Sequence, residues 1–181
     1  MLSRLLFAGS GGQGVLTIGN ILGNAAMLEG FHVTYLPEYG AAMRGGTANC
    51  TICISDEEIA SPVASNPDIV LAMNQPSVLS FINRLQSGGK MLYNSSIVDV
   101  VPFRDDIEVY PAPASQLAQD INNPRSTNMI ILGSFIKMAE IVKLEKVHQS
   151  VDMLMGNKKK VAEDVKQAIS IGYDRFPFEQ A

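Results

Sequence analysis

The sequence has no tryptophan, only two cysteines in 181 residues, and 18% Asp, Glu, Lys and Arg. Two cysteines are too few for the disulfide framework of a small secreted scaffold, so a reducing, cytoplasmic setting is expected. No excess of basic residues is present either: 14 Lys and Arg against 18 Asp and Glu give a formal charge of −4 and a pI near 5.1. Such a chain has no electrostatic reason to collect on nucleic acid or anionic lipid. Long apolar runs are also missing. Leu5–Ala8, after Arg4, is shorter than a secretory core of roughly 7 to 15 residues. Met129–Val142 carries Lys137 and Glu140 and falls short of the roughly 20 residues that cross a bilayer. Neither a signal peptide nor a membrane span is expected. There is no internal repeat, low-complexity tract or linker. What remains is 46% hydrophobic, and a chain of this length buries roughly 70% of the surface its unfolded form exposes. The reading is one domain over 1–181, with 173–181 as a loose tail.

The pattern along the chain is that of an α/β fold. Leu5–Ala8 is a short run suited to a strand buried on both faces, followed at once by GSGGQG. Apolar residues from Val15 to Leu28 recur at helical spacing, and Gly30 supplies a stop. His32–Leu36 predicts a second strand ended by Pro37, and Thr47–Ser55, rich in β-branched residues, a third. Asp68–Asn74 and Lys90–Ser95 read as strands flanking a helix over Pro76–Gln86, and Ile107–Tyr110 as a short further strand. Helical spacing then covers Ala114–Ile121, Thr127–Val142, Glu145–Leu154 and Lys159–Ile171. Alternating strands and helices imply an open, mostly parallel α/β sheet flanked by helices, with a helical C-terminal part.

Gly9, Gly11 and Gly14 satisfy G-x-G-x-x-G between a strand and a helix. Glycines there permit positive φ and close backbone approach, and free N–H groups at a helix N-terminus attract phosphate or carboxylate. The alternative is a tight turn with no ligand. A dinucleotide site also wants an acidic residue about 20 positions on; Thr34 and Leu36 stand near that place and Glu38 comes only after Pro37, so NAD or FAD binding is demoted. The next loop, PEYGAAMRGG, sets Arg44 beside Gly45 and Gly46. Its guanidinium suits an anion, or it pairs with Glu38 across the loop. Cys50 and Cys53 form C-x-x-C inside a strand, where an odd separation sends the thiols to opposite faces, as two small buried hydrophobes. His32 and His148 stand without a G-x-S-x-G elbow, so structural or surface roles are expected. Lys158–Lys160 read as a solvated face, and Met73, Met129, Met138, Met153 and Met155 as core filler.

Several segments carry a resemblance: GSGGQGVLTIGNILGNAA, PEYGAAMRGGTANCTICISDEEIASP, DIVLAMNQPS, GGKMLYNSS and STNMIILGSF. Together, from Leu5 to about Gly172, they resemble the gamma subunit of 2-oxoacid:ferredoxin oxidoreductases. YGAAMRGGTANC, with SDEEI and SP following, is the specific part. The resemblance implies a Rossmann-like unit in a complex that oxidatively decarboxylates a 2-oxoacid with thiamine diphosphate and Mg²⁺. Electrons pass through iron–sulfur clusters to an external ferredoxin, and the acyl group goes to coenzyme A. Alpha and beta subunits are the implied partners, with a ferredoxin-like delta subunit as a further candidate. The sequence has no G-D-G followed by a distant Asn-Asn for thiamine diphosphate and no four-cysteine cluster motif, so no cofactor is expected on this chain alone and the isolated chain is expected to be inactive. By the family's pattern, Gly9, Gly11, Gly12 and Gly14 are implied as an anion loop. Tyr39, Arg44, Gly45, Gly46 and Asn49 are implied to face substrate or coenzyme A, with Asn128 added. Choice among 2-oxoglutarate, pyruvate and branched-chain 2-oxoacids is expected to sit mainly in the thiamine-binding subunits. The competing readings are a free-standing NAD(P)- or FAD-dependent oxidoreductase and a non-catalytic small-molecule-binding α/β module.

Overall fold

A computed structural model describes residues 1–39 and 46–178. The chain runs β1 (Leu2–Ser10), α1 (Val15–Leu28), β2 (His32–Tyr39), β3 (Thr47–Ser55), β4 (Ile69–Ala72) and α2 (Gln75–Phe81). It continues through β5 (Lys90–Asn94), β6 (Glu108–Ala112), α3 (Ala114–Asp120), α4 (Thr127–Ala139), α5 (Leu144–Met155) and α6 (Lys159–Arg175). The strands form one sheet in the order β2-β3-β1-β4-β5-β6. β1, β4, β5 and β6 are mutually parallel, whereas β3 runs antiparallel to both β1 and β2. The mostly parallel sheet expected from the alternation is therefore present, with β3 the reversed member. α1 carries the chain from β1 to β2, and β3 then folds back into the slot between them.

Side chains alternate along β1 and divide the core. Leu5 and Phe7 join the larger cluster under α1, α4 and α6, while Leu6 and Ala8 join Val70, Ala72, Val78 and Ile82 under α2. α1 and β3 have the bounds expected from their patterns. Gly30 stops α1 at φ 90°, with its N–H donating to Met27 O and that of Phe31 to Ala26 O.

Three expectations are corrected. Pro37 does not end β2: the strand continues to Tyr39 with Pro37 opposite Cys50. β2 is an edge strand, where a missing N–H can face outward without breaking the ladder. The opposite edge, β6, likewise contains Pro111. Nor are residues 173–178 a loose tail, since Tyr173 lies within α6 and its ring sits 5.0 Å from Lys137 Nζ; 179–181 lie outside the described residues. Phe176 lies 5.7 Å from the Tyr110 ring and 6.1 Å from that of Phe178, so apolar burial holds this segment. Of the methionines read as core filler, Met153 is instead exposed.

α4 is the central helix: every residue from Met129 to Ile136 is buried. It lies against β1 through an edge-on Phe7–Phe135 contact, ring centroids 4.9 Å apart, and crosses α6 with no side chain between the backbones. A Cβ on Gly133 would stand 1.9 Å from Ile169 O, and one on Gly172 1.8 Å from Ile130 O. Ser134 Oγ donates across the same crossing to Gly172 O at 3.2 Å. Gly133→Ala or Gly172→Ala must push the helices apart, and a loss of about 2 to 4 kcal/mol is expected in denaturant titration. Gly23, inside α1, provides the control: its added Cβ meets only Val33 Cγ1 at 3.5 Å. Gly23→Ala is expected to stabilise by about 0.5 to 1 kcal/mol through reduced unfolded-state entropy.

Candidate functional site

In an open α/β sheet, ligands gather outside the carboxyl ends of the strands, where successive crossovers go to opposite faces. Here that place lies between β1 and β4, with α1 on one face and α2 on the other. The glycine loop Ser10–Gly14 forms its floor. Gly14 caps α1 in the left-handed region, φ 71°, without a side-chain cap. A Cβ on it would stand 2.2 Å from Asn128 Nδ2, so both the backbone and the approach of α4 require glycine. The first helical bond runs from Ile18 N–H to Gly14 O, which leaves the N–H groups of Val15, Leu16 and Thr17 without intrahelical acceptors.

Gln13 and Asn74 hold the loop in shape. Gln13 Oε1 accepts from Ser10 N–H at 2.7 Å and from Asn74 Nδ2 at 2.8 Å. Asn74 Nδ2 also donates to Ser10 Oγ at 2.8 Å, while its Oδ1 caps α2 by accepting from Ser77 N–H at 2.9 Å. One side chain at the end of β4 thus fixes both the loop after β1 and the start of the next helix.

Beside the loop is a crevice of about 330 Å³ lined by Gly12, Gln13, Met73, Asn94, Ser115, Pro124, Arg125, Thr127 and Asn128. Among the described residues its lining has one cation and no carboxylate. Asn94, fully buried, clamps the opposite wall: its Nδ2 donates to Ser115 Oγ at 2.8 Å and its Oδ1 accepts from Ser115 N–H. Asn128 Nδ2 donates to Gly14 O at 3.4 Å, joining residues 114 apart in sequence. Neither α1 nor α4 has an acidic residue in its first turn, so the positive ends of both dipoles are left unneutralised.

The glycine loop, Gly46 and Asn128 are brought together. Gly11 N–H donates to Gly46 O at 2.9 Å, so the chain re-enters the sheet beside the loop. Tyr39 ends β2 opposite Ala48. Arg44 and Gly45 lie outside the described residues. Asn49 stands between Ala8 and Glu38 in the sheet and does not line the crevice; its buried Oδ1 has no partner among the described residues. Gln13, Asn74, Asn94, Ser115 and Arg125 are site residues that sequence reasoning missed. Asn74 had a readable signal, a cap residue ahead of a proline in the first helical turn.

The sulfur and imidazole groups stand elsewhere. Cys50 Sγ faces α1, 3.9 Å from Val15 O, and Cys53 Sγ faces the other side, 3.8 Å from Pro62 O. The two thiols cannot share a metal ion, and among the described residues no group of three His, Cys, Asp or Glu could hold one. His148 sits between α5 and α6 with Nε2 3.3 Å from Ser170 Oγ. Burial, and then the charge of Lys166, lower its pKa. Among the described residues no helix is long and apolar enough to cross a membrane.

Residues 4–175 match the pyruvate ferredoxin/flavodoxin oxidoreductase family. The chain belongs to this family. It is 38% identical over 130 residues to the ketoisovalerate oxidoreductase subunit VorA of Methanothermobacter marburgensis, which covers 72% of this chain and 27% of that protein. The chain therefore spans about a quarter of the length of that relative. It is 30% identical over 158 residues to the 2-oxoglutarate synthase subunit KorC of the same organism, covering 83% of this chain and 85% of that one. Among solved structures, a 2-oxoglutarate:ferredoxin oxidoreductase from Magnetococcus marinus, with 2-oxoglutarate, coenzyme A and succinyl-CoA bound, shares the fold. The TM-score is 0.83 at 23% identity, over 96% of this chain and 30% of that one.

Two measurements test this account. Asn74→Ala is expected to cost about 1 to 2 kcal/mol in denaturant titration by removing the α2 cap and the loop clamp together. Asn74→Asp keeps the cap acceptor but loses the donors to Ser10 and Gln13, so recovery to wild-type stability would refute the clamp. Burial pushes the Cys50 thiol up to about 12, so it remains protonated at pH 8. Iodoacetamide is expected to leave Cys50 unlabelled in the native protein and to label it after denaturation; native labelling would contradict the burial.

Proposed function

We propose that this chain is the gamma-type subunit of a multi-subunit 2-oxoacid:ferredoxin oxidoreductase and completes the coenzyme A side of its active site. The observation that carries the reading is the meeting of the glycine loop with Gly46 and with Asn128 beside a crevice that no carboxylate lines among the described residues, in a chain of the pyruvate ferredoxin/flavodoxin oxidoreductase family. KorC, matched over most of both chains, is a separate subunit of a 2-oxoglutarate synthase. VorA, of which this chain spans about a quarter, belongs to a ketoisovalerate enzyme. Both names agree with a part that works inside a larger assembly.

Thiamine diphosphate, Mg²⁺ and iron–sulfur clusters belong, in this proposal, to the alpha, beta and delta-type partners. The donor set here does not fit a cluster, since Cys50 and Cys53 face opposite sides of β3. Residues 1–181 act as one domain, a reading supported by strands from Leu2 to Ala112 and by helices extending to Arg175. The low cysteine count favours a reducing cytoplasm, and an external ferredoxin is the electron acceptor.

A dinucleotide-dependent oxidoreductase is the weaker reading for a reason visible in the sheet. In that fold the ribose-binding acid ends the strand next to β1. In this chain β3 occupies that slot and runs the opposite way, so the end of β2 stands two strand spacings, about 10 Å, from β1.

Arg44, two residues before Gly46 in sequence, is proposed to hold an anion of the substrate or of coenzyme A. In the assembled complex, Arg44→Ala is expected to lower kcat/KM for one of them about 30- to 1000-fold, equivalent to about 2 to 4 kcal/mol. Arg44→Lys is expected to recover little, because an ammonium cannot form the paired hydrogen bonds of a guanidinium. Near-normal kinetics for both substrates, with a lowered melting temperature, would assign Arg44 to bracing the loop. A complex that reduces ferredoxin normally without this chain would overturn the subunit reading.

A further inference from the structure

The turn between α5 and α6 is built against its own stability. Lys158 precedes α6, and Lys159 and Lys160 open it, with no acidic residue in the first turn and no side-chain cap. Three ammonium groups therefore stand at the positive end of the helix dipole, which repels them. Glu163 and Asp164 follow one turn later, in the order that pairs a lysine less well with a carboxylate on a helix. Among the described residues none of the three lysines has a side-chain ion pair or hydrogen bond, whereas Lys166 is tied to Asp152 at 2.7 Å and Lys146 to Gln149 at 3.1 Å. All three are exposed. Uncovered apolar side chains bracket them: Met153 and Leu154, in the last turn of α5, are 64% and 42% exposed, and Val161, the next residue of α6, 46%. Unpaired cations beside exposed apolar side chains are the materials of a protein interface, an apolar centre with a charged rim.

We propose that the α5–α6 turn is the docking surface for an acidic protein face, supplied by a neighbouring subunit of the assembly. The inference rests on the subunit reading above and adds a surface and a partner chemistry to it. Charge names the partner: carboxylates opposite Lys158, Lys159 and Lys160 pair the three cations and relieve the mismatch at the start of α6, while Met153, Leu154 and Val161 seat against apolar side chains between them. Charge also disfavours the other occupants. A second copy meeting this patch about a two-fold axis brings lysines onto lysines. A polyphosphate surface, nucleic acid or anionic bilayer, meets the exposed carboxylates of Asp152, Glu163 and Asp164 beside the lysines, in a chain whose formal charge is −4. Local preferences are broken in this way where a function requires it.

The test uses the assembled complex with the wild-type chain, with the triple variant Lys158→Asp, Lys159→Gln, Lys160→Gln, and with Met153→Ser, and follows release of this chain on dilution by sedimentation velocity. The triple variant is expected to be held about 10- to 100-fold more weakly at low salt, and rising salt is expected to weaken the wild type more than the variant. Met153→Ser is expected to weaken the association about 3- to 10-fold while keeping the salt dependence of the wild type. The melting temperature of the free chain separates docking from a structural role. Lys158→Asp adds a cap and removes a charge the dipole repels, so the triple variant is expected to melt no lower than the wild type; weaker association together with a lower melting temperature would assign the lysines to the fold instead. Unchanged association of a folded triple variant overturns the docking surface and leaves the subunit reading intact. A wild-type chain that associates with none of the alpha, beta and delta-type subunits overturns the subunit reading and the docking surface with it. Phosphatidylserine vesicles form the last arm: co-sedimentation of the wild-type chain that the triple variant loses would assign the patch to an anionic membrane and overturn a protein partner.

Discussion

The position of α4 depends on one contact, the backbone-to-backbone crossing with α6 at Gly133 and Gly172. A helix buried from Met129 to Ile136 has no solvent face, so every side must meet a neighbour at full packing density. Phe135 meets Phe7 on β1, and the glycines allow α6 to approach until carbonyl oxygens fill the space side chains would take. Ser134 adds a hydrogen bond at the same point. The consequence reaches the far end of the helix. With its body fixed between sheet and α6, the first residues of α4 must lie against the glycine loop, and Asn128 meets Gly14 there. The left-handed Gly14 accommodates the same approach from the loop side. Two sets of glycines, remote from each other, therefore define a single geometry.

The second constraint is the insertion of β3. A chain that passes from β1 through α1 to β2 would ordinarily place β2 beside β1, but the slot is filled by a strand running the other way. The reversed strand brings its first residues, with Gly46, to the carboxyl end of β1, where Gly11 holds Gly46 O. It also moves the end of β2 outward. The same topological change joins the 46–49 segment to the glycine loop and removes the neighbour a dinucleotide ribose would use. Both edges of the resulting sheet hold a proline, Pro37 in β2 and Pro111 in β6, which interrupts the donor row another strand would pair with.

What could be read from sequence follows from the range of the forces involved. α1 and β3 were legible to the residue because period, β-branching and flanking glycine are local signals. β2 and β6 were harder, because a proline reads as a stop unless the strand is known to lie at an edge, and edge position is a property of the whole sheet. The end of α6 and the residues after it read as tail because Lys137, under the Tyr173 ring, and Tyr110, beside Phe176, belong to distant elements. At the site, the glycine loop announced itself through its motif. The resemblance supplies Asn128, and the reason for it is spatial: the approach of α4 to Gly14. Arg125 carried no local signal at all, since only the packing of α4 brings it to a loop more than a hundred residues earlier. Asn74 was visible as a helix cap, whereas its grip on Gln13 required the parallel pairing of β1 with β4.

The chemistry of the crevice bears on the kind of work this chain does. Among the described residues its lining contains no histidine, carboxylate, thiol or amine, and none of these lining groups exchanges a proton near neutral pH. What it does offer are preorganised donors: glycine-loop amides, a serine hydroxyl, asparagine amides and one guanidinium. Such a set can bind and orient an anion without making or breaking a bond in it. Interactions of this kind act on substrate and transition state alike when they lie far from the reacting atoms, and they lower KM more than they raise kcat. They contribute to kcat only by fixing the position of a remote reacting group, as when a held phosphate presents a thiol at the correct distance. A crevice of this kind positions a group rather than reacting with it, which is one physical reason for the subunit reading proposed above.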